Sequence, residues 1–169
     1  MQIAHLVPSL FSHEDGILGG AERYAFELAR HMAERVPTCL LTFGEIERHA
    51  KIGNLNLHVI KSNSYIKGNR SNPLSFRLFK YLAESDVIHC HQQHIFVSTL
   101  CAMYGRLTNK KIYVTDLGGG GWDLSGYLST DKLYHGHLHI SEYSKHIAGH
   151  LNRPWAHVIY GGVDTNKFA

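Results

Sequence analysis

Short apolar runs alternate with amphipathic segments along the whole chain. Seven runs rich in Val, Ile and Leu lack the polar alternation of half-exposed strands and predict buried strands at residues 2–7, 38–43, 57–60, 87–90, 112–115, 138–140 and 157–159. Helices are predicted after the first strand and over residues 74–84, 95–106 and 142–152. Alternating strands and helices are joined by right-handed crossovers. The pattern therefore predicts an α/β domain with a three-layer, doubly wound parallel sheet, which is a Rossmann-like fold.

The helix after the first strand has the clearest pattern. One apolar stripe is formed by Ala21, Ala25, Leu28, Ala29 and Met32, and charged residues occupy the opposite face. Two local signals support later helices, because Pro73 suits a first helical turn and Ser141 is a natural N-cap.

Composition narrows the class of protein. The 169 residues are 44% hydrophobic and 18% charged, which predicts one folded domain with a sizeable core. A net charge of +3 is too small to indicate nucleic-acid binding. Cys39, Cys90 and Cys101 lack metal spacing and predict reduced, buried thiols in a cytoplasmic protein. Neither a membrane span nor a leader is evident.

The first loop, residues 9–20, is longer than a typical βα turn of about two to six residues. It ends on Gly19 and Gly20, directly before the predicted helix. Glycines allow close approach of a ligand to the backbone, and a helix start offers free N–H groups that suit a phosphate. The alternative is that the two glycines only permit a turn.

A second unusual loop, "TDLGGGGWDLSG" at residues 115–126, follows a predicted core strand. The side chain of Trp122 would stack on a sugar ring, and Asp116 or Asp123 would accept hydrogen bonds from hydroxyls. The alternative is a flexible linker. In a doubly wound sheet both loops would line one groove at the carboxyl ends of the strands.

Neither loop fits a dehydrogenase. The dinucleotide fingerprint needs G-x-G-x-x-G directly after the first strand and an acidic residue at the end of the second. Here the first turn is "PSLFSHEDGILGGAE", and the second strand ends at Phe43 and Gly44.

Four segments in order resemble the family 4 (group 1) glycosyltransferases. They are "GGAERYAFELARHMAER" from Gly19, "DVIHCHQ" from Asp86, "HISEYSKHIAGHL" from His139 and "VIYGGVDTNKFA" from Val158. The resemblance implies the N-terminal half of a GT-B fold, with residues 1–159 as the acceptor-binding domain. Residues 160–169 would then connect to a C-terminal domain that binds the nucleotide sugar. It also implies a retaining enzyme without an essential metal or other cofactor, and an isolated domain that is inactive.

The resemblance and the loops together give a set of candidate contacts. Gly19 and Gly20 would face the phosphates of a UDP- or GDP-linked donor. The candidate contacts to a glycan or glycolipid acceptor are His91, Asp116, Gly118, Gly119, Trp122 and Asp123, with Ser141 and Glu142 as further candidates whose alternative role is helix capping.

The sequence departs from the family pattern at two positions. Many members carry a histidine where this chain has Asp116, so no catalytic base is assigned. Gly161 stands where the family usually has asparagine, which puts that side-chain contact in doubt.

The 14 histidines raise a rival hypothesis. Alternation would place His135, His137 and His139 on one face of a strand, and a second cluster comprises His89, His91 and His94. Three imidazoles on one face would suit a zinc-dependent hydrolase, although H-E-x-x-H or comparable spacing does not occur. The alternative is that these histidines lie in the crevice, on the surface or hydrogen-bonded in the interior.

Residues 51–80 carry six cations and no acidic residue. The cations are Lys51, Lys61, Lys67, Arg70, Arg77 and Lys80. Such a stretch would suit peripheral contact with an anionic membrane at the inner face of the cell, and the alternative is an ordinary solvated face. A further alternative to the enzyme is a non-catalytic carbohydrate-binding module.

Overall fold

The computed structural model describes residues 1–11, 16–17, 19–117 and 130–162. Ten strands occur there: β1 (Ile3–Leu6), β2 (Thr38–Gly44), β3 (Arg48–Ile52), β4 (Leu55–Lys61), β5 (Ser64–Tyr65), β6 (Pro73–Leu74), β7 (Val87–Cys90), β8 (Lys111–Val114), β9 (Gly136–His139) and β10 (Ala156–Val158). The α-helices there are α1 (Gly20–Ala33), α2 (Leu78–Ala83), α3 (Phe96–Leu107) and α4 (Glu142–Ile147).

Eight of these strands form one sheet in the order β10-β9-β8-β7-β1-β2-β4-β3. Every neighbouring pair is parallel except β3 with β4. All seven predicted strands are present, so the predicted Rossmann-like α/β class is confirmed. The antiparallel edge strand β3 was not predicted, because its residues are all exposed and carry no apolar pattern. Backbone pairing with β4, not burial, holds it in place.

Two predicted helices differ from the structure. Helix α2 begins at Leu78, and Pro73 instead lies in β6, where it pairs with Tyr65. Helix α4 ends at Ile147, well before residue 152, and Gly149 follows with a left-handed φ of +71° that suits a helix end. The predicted N-cap at Ser141 and the first and third helices are confirmed.

Two apolar clusters cover the two faces of the sheet. Ala4 and Leu6 of β1 belong to the cluster that includes residues of α2 and α3, whereas Val7 belongs to the cluster beneath α1. Helix α1 contributes Ala25 and Ala29 to that second cluster. Small residues there bring α1 close to the sheet, and this fixes its first turn at the carboxyl edge of β1.

Other sequence predictions about the interior also hold. The thiols of Cys39, Cys90 and Cys101 are buried and unpaired. Within the described ranges, none of the helices has both the length and the apolar character needed to cross a bilayer.

Candidate functional site

A small cleft lies at the carboxyl edge of the central strands. Strands β1, β7 and β8 are parallel neighbours in the sheet, with Leu6 beside Cys90 and Cys90 beside Val114. The cleft is lined by Val7, Pro8, Ala21, Glu22, His91, Gln92 and Leu117. The structure thus brings together the start of α1, the residue after β7 and the residues after β8. These are the segments that carry Gly20, His91 and Asp116.

Gly19 and Gly20 are exposed at the start of α1, on the rim of this cleft. Gly19 is the N-cap with extended backbone, and neither glycine has a positive φ, so the turn itself does not demand glycine. A Cβ on Gly20 would meet nothing within 4 Å, and one on Gly19 would lie 2.9 Å from Glu22 Oε2. No side chain caps the helix among the described residues. The backbone N–H groups of its first turn are therefore left without a side-chain cap among the described residues.

Glu22 is a cleft residue that the sequence analysis missed. It lies in the first turn of α1, where the helix dipole favours a negative charge, and its carboxylate lies beside Gly19. The carboxylate thus occupies part of the region that a ligand phosphate would use. Its position three residues after Gly19 was a usable signal, since acidic side chains are favoured there.

Three buried histidines lie together in and just after β1 and β7, and His91 among them lines the cleft. His5 of β1 lies beside His89 of β7 in the register of the two strands, and His91 follows directly after β7. His5 Nδ1 lies 2.8 Å from His91 Nε2, and His89 Nε2 lies 2.8 Å from Thr115 Oγ1. The rings of His89 and His91 are 4.2 Å apart between centroids. We call His5, His89 and His91 the histidine floor.

Burial keeps the histidine floor uncharged. It lowers the pKa of His89 to about 4, and it lowers the pKa values of His5 and His91 well below 6.5, with the neighbouring histidines adding to the effect. At neutral pH these side chains exchange hydrogen bonds but supply no positive charge. His91 therefore contributes polarity and shape to the cleft, not a cation for phosphate.

Asp116 is half-buried just beyond β8, next to the cleft residue Leu117. Thr115 anchors this segment, because its backbone N–H donates to the Cys90 carbonyl at 2.9 Å. The remaining predicted contacts of this loop lie outside the described residues: Gly118, Gly119, Trp122 and Asp123.

Ser141 and Glu142 lie at the carboxyl end of β9, on the same edge of the sheet. Ser141 Oγ accepts a hydrogen bond from the Ser144 N–H at 3.0 Å, and Ser144 Oγ accepts one from the Ser141 N–H at 3.3 Å. Ser141 therefore caps helix α4 through this capping box. Helix capping was the alternative role that the sequence left open for Ser141. Glu142 is exposed in the first turn of α4.

A larger cavity of about 280 Å³ lies between α1 and the sheet. It is lined by Ile3, Tyr24, Leu28, Met32, Val87, His89, Tyr113, Thr115, Leu138 and Ile159. No charged side chain is among these lining residues. The carboxyl-edge cleft is much smaller, but its helix N-terminus, carboxylate and imidazole make it the more polar of the two.

The predicted histidine trios are not the groups that the fold assembles. His135 is occupied elsewhere, since its Nδ1 accepts from the Ile112 N–H at 3.2 Å. Among the described residues, the groups that bring three ligand atoms within 4.8 Å of one another are His5, His89 and His91, and Asp131, His137 and His150. His94 belongs to neither group.

The basic stretch is partly neutralised by acidic residues just before it in the chain. Arg70 pairs with Glu45 at 3.2 Å, and Arg77 pairs with Glu47. These contacts favour the solvated-face interpretation of the stretch, because part of its charge is already balanced within the chain.

A mostly parallel α/β sheet with a polar cleft at its carboxyl edge defines an open α/β domain, in which ligands bind at that edge. Residues 18–167 match the family described as Glycosyltransferase Family 4. The chain therefore belongs to glycosyltransferase family 4, as its four matching segments predicted. Comparison with curated proteins gives no significant match.

Proposed function

We propose that this glycosyltransferase domain binds the acceptor in a retaining enzyme. The enzyme transfers a sugar from a UDP- or GDP-linked donor to a glycan or lipid-linked acceptor in the cytoplasm. The observation that carries the proposal is the convergence of the α1 N-terminus, His91 and the segment after β8 on one cleft of a family 4 domain.

The residues of the cleft have separate roles in this proposal. The backbone N–H groups at Gly20 face the donor phosphates, and Gly20 itself places no side chain in their way. The carboxylate of Asp116 accepts hydrogen bonds from acceptor hydroxyls. Trp122 would supply the aromatic face that stacks on the sugar ring.

Transfer leaves negative charge on the departing nucleoside diphosphate, and fixed donors aimed at it lower the barrier. The described cleft supplies backbone N–H groups and a neutral imidazole, but no cationic side chain among its lining residues, and the carboxylate of Glu22 would repel the leaving group. The cations that stabilise the leaving group therefore come from outside this cleft, in a second domain. This division of labour makes the isolated chain inactive.

Nucleotide binding tests the division of labour. We expect the 169-residue chain to bind UDP or GDP with a Kd weaker than about 1 mM, because one helix N-terminus without cations falls short of the roughly 4 kcal/mol that this affinity requires. Isothermal titration calorimetry measures it, with a two-domain form of the enzyme as the positive control. A micromolar Kd for the isolated chain would refute the proposed division.

The two alternatives have less support. A zinc hydrolase at the cleft has less support because three ring nitrogens of the histidine floor already bond to each other or to Thr115, which leaves His5 Nε2 and His91 Nδ1 as the buried nitrogens without a partner among the described residues. A non-catalytic sugar-binding module would bind acceptor without any transfer. Peripheral membrane contact through the basic stretch is not needed for the proposed reaction.

A further inference from the structure

A second group of buried polar side chains lies away from the cleft floor, around β9. Asp131 belongs to a short 3-10 turn, His137 lies in β9, and His150 follows α4. His150 Nε2 lies 3.3 Å from Asp131 Oδ2, and His137 Nε2 lies 3.8 Å from Asp131 Oδ1. The two imidazoles are almost completely buried, whereas the Asp131 side chain is one-third exposed.

A hydrogen bond accounts for the contact of His150 Nε2 with Asp131 Oδ2, but not for the position of His137. His137 is only 2% exposed, and its Nε2 has no hydrogen-bond partner in the part of the chain that the structure describes. The 3.8 Å separation from Asp131 is too long for a hydrogen bond. A buried imidazole nitrogen that points at a carboxylate without bonding to it costs free energy unless a third group lies between them.

The distances suit a metal ion as that third group. Zinc bonds to imidazole nitrogen and carboxylate oxygen at about 2.0–2.2 Å, so tetrahedral ligand atoms lie about 3.3 Å apart. The two measured separations, which involve different oxygens of Asp131, are close to this value. One ligand atom from each of the three residues lies within 4.8 Å of the other two. One ring nitrogen from each histidine and one carboxylate oxygen would leave a fourth position for water.

The surrounding residues provide the supporting shell that metal ligands require. His150 Nδ1 lies 3.1 Å from His139 Nε2, and Gln93 Nε2 donates to Asp131 Oδ1 at 2.8 Å. The ring of Trp155 lies against both His137 and His150, at 4.8 and 4.7 Å between centroids. A second hydrogen bond on each of two ligands, with an aromatic wall, is typical of metal centres.

Protonation states also suit a metal. Burial lowers the pKa of His137 to about 4. Burial alone would raise the pKa of Asp131, but the Gln93 hydrogen bond and the nearby histidines lower it. At neutral pH, His137 is therefore neutral and Asp131 ionised, which are the forms that bind metal.

We propose that Asp131, His137 and His150 form a binding site for a divalent transition metal, for which Zn²⁺ is the best match. The site joins the turn at Asp131 to β9 and to the chain after α4. His137 lies beside Val114, which belongs to the core on the α3 face. The metal therefore stabilises the fold from within that face and takes no part in sugar transfer. The histidine floor is the weaker candidate because it offers no carboxylate, and three of its ring nitrogens already bond to each other or to Thr115, although His5 Nε2 and His91 Nδ1 have no partner among the described residues.

Zinc titration of the chain without a histidine tag, after dialysis against EDTA, tests the site. We expect one Zn²⁺ per chain by calorimetry and a rise in the thermal unfolding midpoint that EDTA reverses. Asp131→Asn keeps the size of a partly exposed side chain and should weaken binding more than 100-fold. His139→Gln should weaken it by about 10–100-fold, as expected for a supporting residue.

His146→Gln is the matched control, because His146 is an exposed histidine of α4 and should leave the affinity unchanged. Absence of saturable Zn²⁺ binding by the wild-type chain would overturn the proposal. Zn²⁺ affinity that is retained in Asp131→Asn would also overturn it. If His5→Asn then abolished the binding, the ion would be assigned to the histidine floor. These readouts do not use transferase activity, so they are independent of the proposed function.

Discussion

Lowering the pH from 7 to 5 should cost the chain at least about 2 kcal/mol of its free energy of unfolding. The cause is the buried neutral histidines, which are the histidine floor together with His137. Burial lowers the pKa of His89 from 6.5 to about 4. Between these two pH values His89 is protonated in the unfolded state but neutral in the folded state. The loss is about 1.4 kcal/mol per pH unit and levels off near pH 4. His5 and His91, which are also buried and neutral, add to it.

Urea unfolding at pH 7, 6 and 5 measures this dependence. The exposed His157 supplies a control, because His157→Gln should leave the pH slope unchanged. His89→Gln removes one titrating group and should flatten the slope, whatever it does to stability at pH 7. Equal free energies of unfolding at pH 7 and 5 in the wild-type chain would show that these histidines are not buried in the neutral form.

Replacing Gly105 by valine should destabilise the chain by about 3 kcal/mol. Gly105 lies on the buried face of α3, where an added Cβ would come within 2.4 Å of Ile112 Cδ1 and 2.6 Å of Ile112 Cγ1. Ile112 is fully buried in β8 and Ile88 lies behind it, so the side chain has little room to move. The helix would have to move away from the sheet.

Gly20→Val is the matched control for stability, because a Cβ at this helical glycine meets nothing within 4 Å. Chemical denaturation should show a large loss of the free energy of unfolding for Gly105→Val and a change within about 0.5 kcal/mol for Gly20→Val. Equal stability of the two variants would mean that α3 does not pack on β8 as closely as described.

Much of this fold was predictable because buried parallel strands carry a strong local signal. The runs that became β1, β7 and β8 are apolar enough to be identified without any partner. Strand β3 was not predictable, since its residues are all exposed and its stability comes from pairing with β4. Pro73 suits two local structures equally well, and only tertiary pairing with Tyr65 selects the strand.

The candidate site was predictable in part for the same reason. Loops after parallel strands must emerge at one edge, so the meeting of the Gly20, His91 and Asp116 segments followed from topology. The role of His5 did not, because its partnership with His91 depends on which strands are neighbours in the sheet. The metal-binding group was missed because Asp131 and His150 lie outside the alternating pattern that singled out His137.

The rate of sugar transfer tests the central claim most directly, measured as release of UDP or GDP from nucleotide sugars by an enzyme that carries both domains. Gly20→Val would place a side chain at the α1 N-terminus and should lower the rate at least about 100-fold, the cost typical of losing a fixed oxyanion donor. Arg35→Ala, just beyond the opposite end of α1, should leave the rate unchanged. Equal rates for the wild type and both folded variants would contradict the assignment of this cleft to sugar transfer.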